Sequence, residues 1–235
     1  MSFLGPVVVA APADTPNPWF SWSYVTENSD AILTALRDHA ILTGEAVGMA
    51  AAIAIPLAVI AYWLRPLAGP ILAFSGVLYT IPSLALVAFL APYLGVTGDS
   101  TILVALAIYA LLLIIDNTLT GLQQVPASVI DAAKGMGYGR LGRLWRVELP
   151  LALPGIITGL RLATVSTVAL VTVGVIIGQG GLGQLIINGL QSRSAGFYKA
   201  PIGTGTLLCV LLGLTFDLLL AGLGRLATPW ARRAR

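Results

Sequence analysis

Charged side chains are scarce in this sequence, and their scarcity excludes most classes of soluble protein. Only 10% of its 235 residues are Asp, Glu, Lys or Arg, against about 25% in a typical soluble domain. Hydrophobic residues make up 57% of the chain, and its mean hydropathy is +0.90. We therefore predict an all-α protein that lies in a lipid bilayer. The net charge of only +3, with basic residues at segment boundaries, argues against nucleic-acid binding.

Cysteine, histidine and phosphate-binding loops are almost missing as well. The single Cys209 excludes a disulfide framework and is expected to be a small buried hydrophobe, and the single His39 is expected to pack at the membrane interface. No metal-ligand spacing is present. The sequence contains no G-x-x-x-x-G-K-[ST] motif, so any ATP that drives this protein should be bound by a partner. Acids, His and Cys do not cluster as a membrane-embedded enzyme would require, and we predict no catalytic site and no cofactor on this chain.

Long apolar segments fill most of the sequence. A helix rises about 1.5 Å per residue, so about 20 residues cross the hydrocarbon core. Five segments are long enough to be transmembrane helices: residues 40–64, 70–93, 101–122, 154–178 and 203–226. The resulting domain covers residues 39–230, between a tail over 1–38 and a basic tail over 231–235. Within the first tail, residues 28–36 are expected to form a short helix on the membrane surface beside Trp19 and Trp22.

The distribution of basic residues predicts the orientation. Ten of the thirteen Lys and Arg residues lie on one side of this five-span arrangement, and positive loops stay in the cytoplasm. These ten are Arg65, Lys134, Arg140, Arg143, Arg146, Arg161, Arg225, Arg232, Arg233 and Arg235. The prediction is an N-terminus outside and a C-terminus in the cytoplasm.

Residues 131–154 form the longest polar segment in the interior of the sequence. Helix formers begin it, and Gly135, Gly137 and Gly139 then interrupt the helical run. Arginines follow at helical spacing, and Pro150 and Pro154 lead into the next apolar segment. This pattern predicts a short surface helix followed by a glycine bend, which suits a docking element. The alternative is an ordinary basic loop.

The spacing in this stretch resembles the cytoplasmic loop of ABC-importer permeases. Their pattern is E-A-A, three residues, G, nine residues, I, one residue, L-P, and Asp131 and Val147 are conservative departures from it. The resemblance implies a coupling helix that contacts the ATPase through Asp131, Ala132, Ala133, Gly135, Gly137, Leu149 and Pro150. It also implies the partners: two ATP-binding cassette ATPase subunits, a second permease subunit of the same or a homologous sequence, and an extracytoplasmic solute-binding protein. The expected location is a bacterial-type cell membrane, in contact with lipid.

Four further motifs are similar to the osmoprotectant branch of these permeases, which imports glycine betaine, choline or carnitine. They are YTIPSLAL at 79–86, DNTLTGL at 116–122, IGQGGLG at 177–183 and FDLLL at 216–220. The third also matches the dinucleotide pattern G-x-G-x-x-G, but neither the strand nor the acid that the pattern requires is present. We expect a re-entrant turn there. Asp116 departs from that branch, so the resemblance implies no role for it.

Polar and aromatic residues inside the apolar segments are candidates for the solute pathway. Ionisable residues are costly in a membrane and often functional; they are Glu45, Asp116 and Asp217. Tyr79, Pro82, Ser83 and Tyr109 are the other candidates, with Asp217 as a counter-charge for a cationic solute. Polar contacts between helices, or simple packing, would explain the same residues. The expected function is import by alternating access; the alternative solute is methionine or another small polar molecule, and the rival class is a membrane scaffold.

Overall fold

A computed structural model describes residues 17–95, 99–175 and 180–229, and every regular element in that part of the chain is a helix, as predicted. The α-helices are α1 (Trp22–Glu27), α2 (Ser29–Trp63), α3 (Arg65–Thr80), α4 (Ser83–Leu94), α5 (Asp99–Gln123), α6 (Ala127–Gly135), α7 (Arg140–Arg143), α8 (Leu149–Gly174), α9 (Leu182–Gln191) and α10 (Lys199–Ala227). A π-helical turn, Leu144–Glu148, joins α7 to α8, and a 3₁₀ turn, Ser192–Ala195, follows α9.

Four straight helical runs are long and apolar enough to cross a membrane: Ser29–Trp63, Ser100–Gln123, Arg140–Gly174 and Lys199–Ala227. Helices α3 and α4 together form a fifth candidate, bent by 98° at their junction. The five predicted spans are therefore found only if this bent pair is counted as one span. The first span also begins earlier than predicted, because residues 29–36 continue into α2 rather than forming a separate surface helix.

Pro82 explains the bend that the apolar pattern over residues 70–93 concealed. Proline lacks a backbone N–H and pushes the residue before it out of the helical region. Ile81 accordingly has φ −65° and ψ 128°, and α4 restarts at Ser83. The predicted second span is therefore a broken helix and not a continuous one.

Contacts within the chain group it into two units. The first consists of Met1–Thr43 with Val168–Gly213. Its core contains Ile32 and Ala35 of α2 and Leu182 and Leu185 of α9. Asn17 contributes to this unit from far away in the sequence, because its side-chain oxygen accepts hydrogen bonds from the backbone N–H groups of residues 198 and 199, at 3.2 and 2.9 Å. The start of α10 is thereby capped by the N-terminal segment.

The second unit consists of Gly44–Thr167 with Leu214–Arg235. Its core is lined by an alanine stripe on α2, at positions 50, 54, 58 and 61, packed with Ile114 and Ile115 of α5. Small side chains let helices approach closely in a membrane. Gly155 and Gly159 of α8 allow such an approach to α5, since a Cβ at either position would lie 2.8–2.9 Å from an atom of Asn117.

Candidate functional site

The basic loop, residues 124–148, connects α5 to α8 and contains the predicted surface helix as α6. Helix α6 begins after Pro126 and ends in a Schellman motif: the Tyr138 N–H donates to Ala133 O at 3.1 Å, and the Gly137 N–H donates to Lys134 O at 2.9 Å. Gly137 has φ +81°, which only glycine adopts without strain. The predicted glycine bend is therefore confirmed at Gly137, whereas Gly135 lies within the helix.

The residues that the family resemblance implies for the ATPase contact fall into two groups, one exposed and one at least partly buried. Asp131, Ala132, Gly135 and Gly137 are exposed, whereas Ala133 is only 1% exposed and packs within its own chain. Leu149 and Pro150 are half-buried in the first turn of α8. A partner can therefore touch the first set directly, while Ala133 holds α6 in place.

Asp131 forms an ion pair on the surface of α6. Its carboxylate accepts a hydrogen bond from the Lys134 ammonium at 2.8 Å, and this contact holds the pKa of Asp131 below its usual value. Both side chains are exposed, at 70% and 56%, so the pair contributes little to stability. Its main effect is to fix the direction of the carboxylate on the exposed face.

Three large apolar side chains on the basic loop were missed by the sequence analysis. Met136, Leu141 and Trp145 are 70%, 63% and 68% exposed. Leu141 and Trp145 are four residues apart, a spacing that places side chains together on a helix face. This four-residue spacing is visible in the sequence, but the neighbouring Arg140, Arg143 and Arg146 made the segment look basic throughout. Apolar side chains exposed on an otherwise polar loop indicate a contact surface for another protein.

The bent helix pair brings four predicted pathway residues together. Tyr79 lies in the last turn of α3, Pro82 is the N-cap of α4 and Ser83 its first residue, and Tyr109 of α5 reaches them from the side. The Tyr109 hydroxyl donates a hydrogen bond to the carbonyl of Ile81, which the break leaves without a helical partner. The rings of Tyr79 and Tyr109 meet edge to face, 5.9 Å apart at 74°. Tyr109 is buried, whereas Tyr79 is 41% exposed.

Asp217, the predicted counter-charge for the solute, is paired with a basic side chain of its own chain. Its two carboxylate oxygens accept hydrogen bonds from Nε and Nη2 of Arg161, both at 2.8 Å. This bidentate ion pair between α10 and α8 neutralises the carboxylate, and such pairs are how charges are tolerated within a span. Arg161, which the orientation prediction counted among the cytoplasmic charges, lies inside α8.

His39, predicted to pack at the membrane interface, is completely buried. Nε2–H donates to the Val168 carbonyl at 3.0 Å, and Nδ1 accepts from the Leu182 N–H at 3.3 Å. These partners require the neutral Nε2–H tautomer. Within the predicted re-entrant turn, residues 177–179 lie outside the described part of the chain. Gly181 has φ +100° and passes beside the imidazole. A lone histidine carries no sequence signal for such partners.

Known proteins resemble this chain over most of its length. The family described as binding-protein-dependent transport system inner membrane component matches residues 46–231. The glycine betaine/carnitine/choline transport system permease protein OpuCD of Bacillus subtilis is 33% identical over 207 residues, covering 88% of this chain and 89% of that protein. The osmoprotectant import permease protein OsmW of Salmonella typhimurium is 34% identical over 210 residues, covering 88% and 96%.

A solved structure has the same fold. A chain of the MetNI methionine ABC transporter in inward-facing conformations superposes with a TM-score of 0.76. It covers 86% of this chain and 98% of that chain, at 23% identity. At this level of identity the similarity identifies the fold and carries no information about the solute.

Proposed function

Because the chain belongs to the family of binding-protein-dependent transport system inner membrane components, we propose that its solute is a quaternary ammonium osmoprotectant: glycine betaine, choline or carnitine. The chain is a permease subunit of an ABC importer and a multi-pass protein of the cell membrane. Members of this family work with ATPase and solute-binding partners, so ATP hydrolysis belongs to a separate subunit.

We choose this class of solute because the chain is similar, over nearly its whole length, to permeases named for these compounds. Relatives from Bacillus subtilis and Listeria monocytogenes named for choline and carnitine transport are 32% identical over 88% of this chain. The exposed Tyr79 supports the proposal, since a quaternary ammonium ion cannot donate a hydrogen bond and is attracted to aromatic faces. Methionine or another small polar molecule remains the alternative solute; the fold shared with the structural neighbour does not distinguish between solutes.

We further propose that α6 is the coupling helix and that the basic loop lies in the cytoplasm, with the N-terminus outside. The exposed residues Asp131, Ala132, Gly135 and Gly137, together with Met136, Leu141 and Trp145, offer a surface of mixed polar and apolar character to an ATPase subunit. Closure of two such ATPase subunits around ATP would move α6 of each of two permease subunits, the second being the same or a homologous chain. An extracytoplasmic binding protein would deliver the solute, and alternating access would carry it through.

Uptake by the assembled complex in proteoliposomes tests the choice of solute. We expect ATP-dependent uptake of betaine, choline or carnitine, and no uptake of methionine. Tyr79→Ala should lower the uptake rate about twofold to thirtyfold, because one aromatic contact of about 0.5–2 kcal/mol is lost. Tyr79→Phe, which keeps the ring, is the matched control and should transport normally. Methionine uptake without uptake of any quaternary amine would establish the alternative.

A further inference from the structure

A buried ion pair lies at the C-terminal end of the basic loop. The Nε–H of Arg143 donates to Oε1 of Glu148 at 2.5 Å, and the two side chains are 16% and 0% exposed. The other carboxylate oxygen of Glu148 is buried and has no hydrogen-bond partner among the described residues. A carboxylate buried with a single partner is costly. Stability alone therefore does not explain the presence of this ion pair, and its position in the basic loop indicates a different role.

The ion pair depends on the π-helical turn between α7 and α8. In that turn the Leu149 N–H donates to Leu144 O, five residues back. In an α-helix, side chains five residues apart point about 140° away from each other, given 3.6 residues per turn. Arg143 and Glu148 are five residues apart, so an α-helical turn would separate them. A turn with hydrogen bonds between residues five apart brings them to one side, and the ion pair and the π-helical turn thus stabilise each other.

The same turn connects the basic loop to the helices around it. Leu144 is buried with Leu122 of α5 and with Ala152 and Ile156 of α8. Arg140, in α7, places its guanidinium 4.5 Å from the centre of the Trp63 ring and donates to the Trp63 carbonyl at 3.3 Å. Helix α6 itself contacts α7 and the π-helical turn. Movement of α6 therefore reaches α2 through Arg140 and α8 through the turn.

We infer that Arg143 and Glu148 are positioning residues for coupling: their buried ion pair holds the π-helical turn that fixes the direction of the basic loop relative to α8. This inference rests on the proposed coupling role of α6. Loss of the pair lets the turn relax to an α-helix, which rotates the loop by about 100° and shifts it by about 1.5 Å, the values for one residue. The loop then no longer transmits its displacement to α8.

Replacing both charged side chains of the ion pair by apolar ones distinguishes a role in positioning the basic loop from a role in packing alone. A buried ion pair exchanged for apolar side chains of similar size often leaves stability unchanged or raised. Arg143→Met combined with Glu148→Leu should therefore fold and assemble, yet it cannot hold the π-helical turn electrostatically. A role in packing alone would leave this double variant fully active.

The first measurement is solute transported per ATP hydrolysed, in proteoliposomes containing the assembled complex. We expect a decrease of about tenfold, within the usual range of coupling between sites, for the double variant and for Glu148→Gln. Arg143→Lys keeps a cation beside Glu148 and should retain most of the coupling. Glu27→Gln makes the same chemical change at an exposed glutamate of α1 and should behave as wild type.

The second measurement does not depend on transport. Spin labels at Leu141 and Leu162, both exposed and on either side of the turn, report the distance between α7 and α8 in a Cys209→Ala background. We expect this distance to change in the double variant and to stay constant in Arg143→Lys. An unchanged distance, or wild-type transport per ATP, in the double variant would overturn the inference. A wild-type complex that transports no quaternary amine would instead reject the proposed solute.

Discussion

Replacement of Gly155 by alanine tests whether α5 and α8 hold the two ends of the basic loop by direct backbone contact. A Cβ at position 155 would lie 2.8 Å from the carbonyl oxygen of Asn117 and 2.9 Å from Cα of Gly121. Both are backbone atoms of α5, so the helices must separate to admit the methyl group. Overpacking of this kind costs about 1–3 kcal/mol. The better helix propensity of alanine returns about 1 kcal/mol, so we expect a net loss of up to about 2 kcal/mol.

Thermal unfolding of the purified chain in detergent measures this loss. In a chain of this size 1 kcal/mol corresponds to about 2–4 °C, so Gly155→Ala should lower the unfolding temperature by several degrees. Gly48→Ala is the matched control, because it is also a helical glycine and its Cβ would meet no atom within 4 Å. It should unfold at or above the wild-type temperature. A Gly155→Ala protein as stable as the Gly48→Ala protein would refute the close contact between α5 and α8.

Two further predictions follow from the charges. Asp217→Asn leaves the Arg161 guanidinium without its counter-charge, so the complex should unfold at a lower temperature than wild type, by less than for a fully buried pair because both side chains are partly exposed. Wild-type thermal stability together with abolished uptake would instead mean that the carboxylate acts on the solute. In a Cys209→Ala background, single cysteines near Asp14 and Asp99 should react with an impermeant reagent from outside, and those near Arg140 and Arg233 should not. Any exchange between these two groups rejects the proposed orientation.

The broken second span shows what hydropathy cannot detect. Both α3 and α4 are apolar, so the pattern over residues 70–93 is the same for a straight helix and for one bent by 98°. Pro82 was visible in the sequence, but proline is tolerated within membrane helices, and α2 continues through Pro56 without interruption. The difference lies in the surroundings. At Ile81 the freed carbonyl has the hydroxyl of Tyr109 as its partner, and a contact between residues 28 positions apart carries no local signal.

Charges inside the spans show a related limit. Sequence position gives the depth of Asp217 but not its partner, and Arg161 is 56 residues away. The orientation prediction counted Arg161 among the cytoplasmic charges, although it lies within α8 and pairs with Asp217. Interpreting each charge separately could not reveal this ion pair.

The basic loop shows where sequence patterns succeed and where they stop. Asp131, Ala132 and Gly137 are exposed, and their arrangement is set within one short helix and its Schellman turn, so spacing alone predicts them. Glu148 occupies the position that the family pattern leaves unspecified, between Val147 and Leu149. Its side chain is nevertheless the most deeply buried charged group of the basic loop. It contacts Arg143 only because the turn between them is π-helical. The family pattern records residues whose arrangement is set by local spacing. The contact between Arg143 and Glu148 depends on the geometry of the turn between them, which a linear pattern does not record.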